Sequence, residues 1–522
     1  MRKKSKIKRI NKIHIKNILR VAVVFVFIFV IVLIYGVLKP LPEGVSVEGE
    51  IHQVLSKNIS FFSDRTYWNN SLEIRQSEQE IFDEIFDEMF TVIKNAKEYV
   101  VVDMFLFNDF VGKADVYRSL SDELTQVLVE KKVGNPYMPV VFITDPINEV
   151  YGGVESKHLR SLRDAGVNVV ITDLTKLRDS NFMYSPFWKI FIQWFGTSVD
   201  AQWLPNPFES GGEGIGLRSY FKSFNFKANH RKVVVADDSV LVTSANPHDG
   251  SSAHSNVAIR IDNANLAREV LQSEQAVINF SLSENERFAI IEGIQSEQLF
   301  VADNNISSGD TAKDGDDEVS VQLLTEKKIK KSIIASIDNL QEGDSLDMAI
   351  FYIADRGIVK ALKRASERGV TMRLLFDANK DAFGREKNGQ PNRQVASELV
   401  RASDGNISVR WCDTHGEQCH SKLLLLESDA GYEMFIGSAN FTRRNIGDYN
   451  LETNIKLSDA EVFGAFDEAQ EFFELQWEVV SVEEGITDPT ESYSLEYEEY
   501  KDESRLKYWS YRFKEWSGLS PW

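Results

Sequence analysis

The chain has 522 residues, 43% hydrophobic and 26% charged, with 79 acids against 59 lysines and arginines. That length exceeds what one hydrophobic core usually holds, so two packed units are expected. A net charge of -20 argues against a general nucleic-acid binder, because counterion release from phosphate backbones needs a basic surface; a small basic site stays open.

Nine lysines and arginines and no acid fall within the first twenty residues, which makes 1–20 a basic tail. Val21 to Leu38 then reads VAVVFVFIFVIVLIYGVL, eighteen residues without a charge, close to the roughly 20 that span a bilayer. The run is longer than the roughly 7–15 apolar residues of a cleaved signal peptide and leads into Lys39-Pro40-Leu41-Pro42 without an Ala-x-Ala pattern. It reads as an uncleaved transmembrane anchor over 21–38. By the positive-inside rule the N-terminus is cytoplasmic and the chain beyond about residue 40 is extracytoplasmic.

After the anchor, one order of elements occurs twice. A helical pattern over Ile81–Ala96 leads into a strand over Tyr99–Phe107, and Lys327–Leu340 leads into Ser345–Tyr352. Each pair is followed by a helix (Val116–Glu130; Gly357–Arg368), a strand (Pro139–Thr144; Thr371–Phe376) and a further helix and strand (Leu159–Ile171; Arg393–Trp411). Short apolar strands alternating with amphipathic helices predict a mixed α/β sheet flanked by helices in each copy. Ala302–Glu318 is polar and acidic, as a linker should be. The expected organisation is a first half over 45–301, the linker 302–318, a second half over 319–480 and a C-terminal tail over 481–522.

The chemistry sits late in each copy. The first reads Asn-His-Arg-Lys from 229 to 232, running on through Asp237 to Ser244-Ala-Asn246; the second reads Cys-His-Ser-Lys from 419 to 422, running on to Glu427 and later to Ser438-Ala-Asn440. Residues at i and i+2 of a strand share a face, so Lys232 lies beside His230 and Lys422 beside His420. Ser244 and Asn246, like Ser438 and Asn440, also share a face. Each copy therefore offers an imidazole, an ammonium, a hydroxyl and an amide. The chain has only eight histidines, and two of them open matching strands inside a duplicated arrangement. A satisfied structural histidine is the bland reading of either one alone.

This pattern resembles the HxKxxxxD motif of the phospholipase D superfamily with its following small-Ser-x-Asn, present twice and flanked by a repeat from about residue 50 to 475. The resemblance implies two α/β halves packed as a pseudo-twofold pair, both motifs meeting in one cleft, a covalent phosphohistidine intermediate and no metal or cofactor. The first copy matches fully through His230, Lys232 and Asp237. The second has Glu427 in place of aspartate; by strand parity that acid points away from His420, which suits a structural role for Glu427.

A phosphodiester repels nucleophiles, so a histidine nucleophile needs Lys232 and Lys422 to neutralise developing charge, and the leaving alkoxide needs a proton from a second imidazole. Alignment of the copies sets Asn256 against Glu452. With each placed beside its own copy's histidine, the carboxylate favours imidazolium on His420, the general acid, and the amide leaves His230 neutral and nucleophilic. The alternative is that Glu452 orients His420 as the nucleophile.

Other residues carry weaker signals. His248 and His254 fit either a pocket wall or a surface loop; His14, His52, His158 and His415 have no partner pattern. Cys412 and Cys419 close a six-residue loop before His420, and either a disulfide or two buried thiols suits them. Phe182–Phe195, FMYSPFWKIFIQWF, reads as a short aromatic helix, either dipping into lipid or buried as core. The function expected from the resemblance is a phosphodiesterase or phosphatidyltransferase acting on membrane phospholipid, similar to bacterial cardiolipin synthases; the alternative is a membrane-anchored exonuclease of the same superfamily. The acceptor, the head group and the oligomeric state are not encoded in these motifs.

Overall fold

The computed structural model describes residues 2–69, 78–111, 117–208, 212–287, 290, 317–382, 385–477, 494–520 and 522. The linker expected over 302–318 lies, up to residue 316, outside them.

Two sheets form the body. One has the strand order Glu78–Asp83, Ile59–Asn69, Asn256–Asp262, Ser239–Thr243, Lys232–Ala236, Val100–Met104, Val140–Thr144, Asn168–Ile171. The other runs Glu48–Leu55, Glu318–Thr325, Thr453–Asp459, Gly431–Gly437, Lys422–Ser428, Ser345–Ile350, Thr371–Phe376, Ile407–Cys412, Ser494–Glu496. Seven consecutive strands correspond: each motif strand pairs antiparallel with both of its neighbours, and one of those neighbours, Val100–Met104 or Ser345–Ile350, pairs parallel with the strand beyond it. The mixed α/β halves expected from the duplication are therefore present.

Both faces of each motif strand are buried, and this explains their unbroken apolar runs. Val233 and Val235 join Leu423 and Leu425 in a core between the sheets, whereas Val234 and Ala236 pack under one half's helices and Leu424 and Leu426 under the other's.

Two segments depart from the expected boundaries. Glu48–Leu55, assigned to the first half, pairs antiparallel with Glu318–Thr325 and so extends the second sheet, covering an edge that would otherwise present unpaired backbone groups. The C-terminal stretch is more than a tail: Ser494–Glu496 adds a strand beside Ile407–Cys412, and helix Arg505–Ser517 buries Tyr511 in the second half's core.

Arg2–Leu38 is one helix, of which Lys16–Leu38 is long and apolar enough to cross a membrane. Its end is seated on the first half. Asp179 N–H donates to the Gly36 carbonyl at 2.8 Å, Arg178 Nε to the Lys39 carbonyl at 2.9 Å, and Lys39 Nζ to the Thr175 carbonyl at 2.6 Å. A side chain at Gly36 would collide with the Asp179 carboxylate, so glycine permits this approach. Next to it lies the aromatic segment, a turn of helix at Ser185–Phe187 running into a wider π-turn at Trp188–Ile192. Phe191 stacks on Phe25 of the long helix at 5.5 Å. Trp194 is 73% exposed, so the segment is not the core helix that its composition also allowed.

Candidate active site

The two halves meet along a seam that repeats itself with the partners exchanged. His230 N–H donates to the Leu451 carbonyl at 2.9 Å and Leu451 N–H to the Ala228 carbonyl at 3.1 Å. In the mirrored positions His420 N–H donates to the Ser255 carbonyl at 2.8 Å and Ser255 N–H to the Gln418 carbonyl at 3.0 Å. Each histidine is therefore held by the half it does not belong to, as a twofold arrangement requires. Both histidines precede their strands, which begin at Lys232 and Lys422.

The same exchange governs what stands behind each imidazole, and here the sequence expectation is corrected. Glu452 was placed beside His420; instead its carboxylate lies 2.9 Å from His230 Nδ1. Asn256 was placed beside His230; instead its Oδ1 lies 3.0 Å from His420 Nδ1. Strand parity relates residues within one copy, but packing face to face carries each partner across the seam. Ser438 Oγ donates to Glu452 at 2.5 Å, and Asn445 Nδ2 donates to its other oxygen. Ser244 Oγ donates to Asn256 Oδ1 at 3.2 Å. The serines thus support the groups behind the histidines rather than facing the reaction space.

Lys232 and Lys422 are fully buried, each donating to the carbonyl of its own histidine at 2.8 and 2.6 Å. Lys232 Nζ sits 5.3 Å from the Phe105 ring and Lys422 Nζ 5.4 Å from Phe351, and the same two rings pack on His230 and His420 at 4.7 and 4.9 Å. Burial pulls Lys232 down to about 7 and Lys422 well below its ordinary value, pushes Glu452 up to about 8, and holds both histidines well below the usual imidazole range. Lys232 depresses His230 further, and Lys422 does the same to His420. The site without ligand is thus close to neutral, and an anion entering it would draw protons onto these groups.

Both motifs open into one cavity of about 280 Å³, lined by His230, His420, Asn246 and Asn440 together with His248 and His254. The latter two were candidates for either a wall or a surface loop; they are in the wall. Aromatic rings make up much of the remainder, among them Phe105, Phe224, Phe226, Phe351 and Tyr352, while Lys227 and Arg444 add positive charge. Sequence reasoning missed the paired phenylalanines, although Phe105 and Phe351 stand at equivalent ends of the expected strands Tyr99–Phe107 and Ser345–Tyr352. It also missed Arg231, which is fully buried between Glu274 and Glu326 at 3.0 Å each and so ties the first motif to the second half.

Asp237 lies away from the cavity, accepting from the backbone N–H groups of Lys97, Glu98 and Tyr99. Glu427 is exposed at the far end of its strand. Cys412 and Cys419 form a disulfide, closing a loop whose Gly416 and Gln418 reach the cavity. His52, His158 and His415 are not in its wall: His52 bonds Glu269 at 3.1 Å, His158 packs on Phe107, and His415 lies near Asp413.

Residues 333–477 match the family described as Cardiolipin synthase, PLD-like domain. No curated protein sequence matches the chain significantly. Among solved structures, the phosphatidylserine synthase of Haemophilus influenzae Rd KW20 aligns with a TM-score of 0.50 at 13% identity, over 81% of this chain and 87% of that one. This shows a shared fold. Weaker likenesses are to the polyphosphate kinase of Porphyromonas gingivalis, TM-score 0.41 at 12% identity over 89% and 54% of the two chains, and to the phospholipase D family member Nuc of Salmonella typhimurium, TM-score 0.23 at 21% identity over 30% and 90%.

Proposed function

Because the chain belongs to the phospholipase D superfamily, we propose that it is a membrane-anchored phosphodiesterase or phosphatidyltransferase whose substrate is a phospholipid. The observation that carries this reading is the convergence of His230 and His420, one from each half and each with its buried motif lysine bonded to its carbonyl, on one cavity walled by aromatic side chains. The apolar helix seated beside the exposed aromatic segment favours a lipid over a nucleic acid, as does the acidic body.

In this reaction His230 is the nucleophile. With the anionic substrate bound, charged Lys232 and Lys422 favour the ionised form of Glu452; that carboxylate accepts and does not donate, so it holds the hydrogen on Nδ1 of His230 and leaves the Nε2 lone pair free. When Nε2 bonds to phosphorus the ring becomes cationic, and Glu452 then stabilises it, as a buried aspartate does for a catalytic imidazolium. The bond from phosphorus to the head-group oxygen breaks, and His420, protonated once the anionic substrate is bound, gives that oxygen its proton. Water or an alcohol next transfers its proton to His420 and attacks phosphorus, releasing Nε2 of His230. Lys232, Lys422, Asn246 and Asn440 stabilise the charge on the equatorial oxygens. The reason for this assignment differs from the one drawn from the sequence, since the carboxylate now stands behind the nucleophile.

The disulfide suits an oxidising compartment and agrees with a cytoplasmic N-terminus and an extracytoplasmic catalytic body. The full chain, reconstituted in bilayers, is to be incubated separately with labelled phosphatidylglycerol and with labelled single-stranded DNA. Release or exchange of the lipid head group with intact DNA is the expected result. Shortening of the DNA with untouched lipid would replace this reading with an exonuclease.

A further inference from the structure

His254 and Asn450 occupy equivalent places in the two halves. Each stands two residues before the group behind a catalytic histidine, Asn256 in one case and Glu452 in the other, and each lines the cavity. Each also accepts a hydrogen bond from the backbone of the opposite half. Gln418 N–H donates to His254 Nδ1 at 3.2 Å, and Ala228 N–H donates to Asn450 Oδ1 at 3.0 Å. Gln418 and Ala228 are themselves two residues ahead of His420 and His230, so both latches act at the same point of the seam.

These bonds fix which atoms remain for a ligand. A backbone amide only donates, so Nδ1 of His254 carries no hydrogen, and in the neutral ring the hydrogen is on Nε2. Burial, with His248 and Lys422 nearby, holds His254 well below its ordinary value and so keeps it neutral. For Asn450 the oxygen is committed and the NH₂ is left. Neither Nε2 of His254 nor Nδ2 of Asn450 has a partner among the described residues, and the His254 ring lies 5.9 Å from that of His420. His254 thus has a hydrogen to give and no lone pair with which to take a proton, so it cannot serve as a base for water or alcohol.

We propose that His254 and Asn450 are a matched pair of substrate-binding donors, one from each half, that hold the oxygens of a bound phosphodiester while latching the opposite half's catalytic histidine in place. The pair differs in reach, since an imidazole Nε2 extends further than a carboxamide nitrogen, and the two ends of the cavity are therefore unequal although the latches are equivalent. This assignment rests on the reading of the cavity as a phosphodiester site.

The test is equilibrium binding of a short-chain dialkyl phosphate to the full chain in detergent, with kcat, KM and melting temperature measured on a soluble phosphodiester. His254→Leu removes latch and donor together. His254→Asn installs the other half's solution and keeps both. Asn450→Asp keeps the acceptor for Ala228 and removes the donor. The donor lost in His254→Leu should weaken dialkyl phosphate binding about five- to tenfold, in proportion to the worth of one hydrogen bond, and raise KM alike; Asn450→Asp, which also sets a negative charge against the anion, should weaken it at least as much. His254→Asn should return binding to within about threefold of the native chain. Unchanged binding in both His254→Leu and Asn450→Asp would overturn the proposal while leaving the catalytic reading intact. Loss of kcat and melting temperature with unchanged binding would reduce the pair to latches, which also overturns it. Failure of the native chain to bind any dialkyl phosphate would overturn the proposal and the catalytic reading together. If His254→Leu does not fold, the contrast between Asn450→Asp and His254→Asn decides the question alone.

Discussion

Behind His420 stands a neutral amide, Asn256, and behind His230 a buried carboxylate, Glu452; yet the two imidazoles are placed by the same backbone bonds, packed by equivalent phenylalanines and flanked by equivalent lysines. Two sites that share so much geometry differ, directly behind the catalytic rings, in one ionisable group. Duplication supplied the convergence, and a single acid breaks the equivalence that would otherwise let either histidine attack. The two-half comparison is therefore the most direct handle on mechanism.

The largest effect tests whether both halves are needed. His230→Ala and His420→Ala should each lower turnover by at least about 10³-fold, since groups that act as a unit lose nearly everything when one is removed, while melting temperature and circular dichroism stay close to native. Near-normal turnover in either variant would mean that the halves do not share one reaction. Chemical trapping should then leave label on the His230 peptide, increased in His420→Asn, where the proton donor is missing.

A smaller effect separates the two groups behind the rings. Glu452→Gln should reduce kcat by about 10²–10⁴-fold, the range for losing the acid that fixes a catalytic imidazole. Asn256→Ala should cost about fivefold, as a neutral hydrogen bond is worth roughly 1 kcal/mol. Exchanging them in Glu452→Gln/Asn256→Asp should move trapped label toward His420. Label that stays on His230 in the exchanged protein would show that the acid does not set the roles.

The lysines give a pH dependence whose sign follows from burial. Lys232, pulled down to about 7, is charged below that value and neutral above it. A dialkyl phosphate stays a monoanion throughout, so its dissociation constant should rise with pH by about tenfold per unit for each proton taken up, the Lys232 contribution being absent below about pH 7 and adding to that of His420 above it. A constant value from pH 6 to 9 would mean that the lysines are charged before the ligand arrives.

The sequence made some of this architecture legible and hid the rest for physical reasons. Strands buried on both faces leave unbroken runs such as Val233–Ala236 and Leu423–Leu426, so the repeat and its motif strands were readable, as were the helices between them. Register within a strand is local, so the pairing of Lys232 with His230 was readable too. The exchange of Glu452 and Asn256 was not, because it depends on how two finished sheets face each other. Nor was the transfer of Glu48–Leu55 to the second sheet, where a strand joins the edge it meets in space, 263 residues away in the pairing of Leu55 with Glu318.

The smallest expected effect concerns a region that the second half lacks. Between Asn168–Ile171 and His230 the first half carries the aromatic segment, in which Phe191 stacks against Phe25 of the apolar helix and Trp194 is 73% exposed; beyond the segment Trp203 is 79% exposed. At a rise of about 1.5 Å per residue, Phe25 stands roughly 16 Å along the helix from Gly36, where the body grips it through Asp179. If that helix lies in a bilayer, Phe191 reaches the depth of acyl chains rather than head groups. Trp194→Ser and Trp203→Ser together should therefore reduce kcat/KM on bilayer phospholipid by about tenfold, the equivalent of roughly 1.4 kcal/mol, which is near the low end for burying one large apolar side chain. Turnover of a soluble short-chain phosphodiester should not change, because neither tryptophan lines the cavity. Melting temperature should not change either, since truncating exposed tryptophan leaves no void, whereas a buried one would cost about 3–5 kcal/mol. A parallel fall in both activities would assign these rings to the shape of the cavity, and no fall in either would leave the aromatic segment without a part in reaching the lipid.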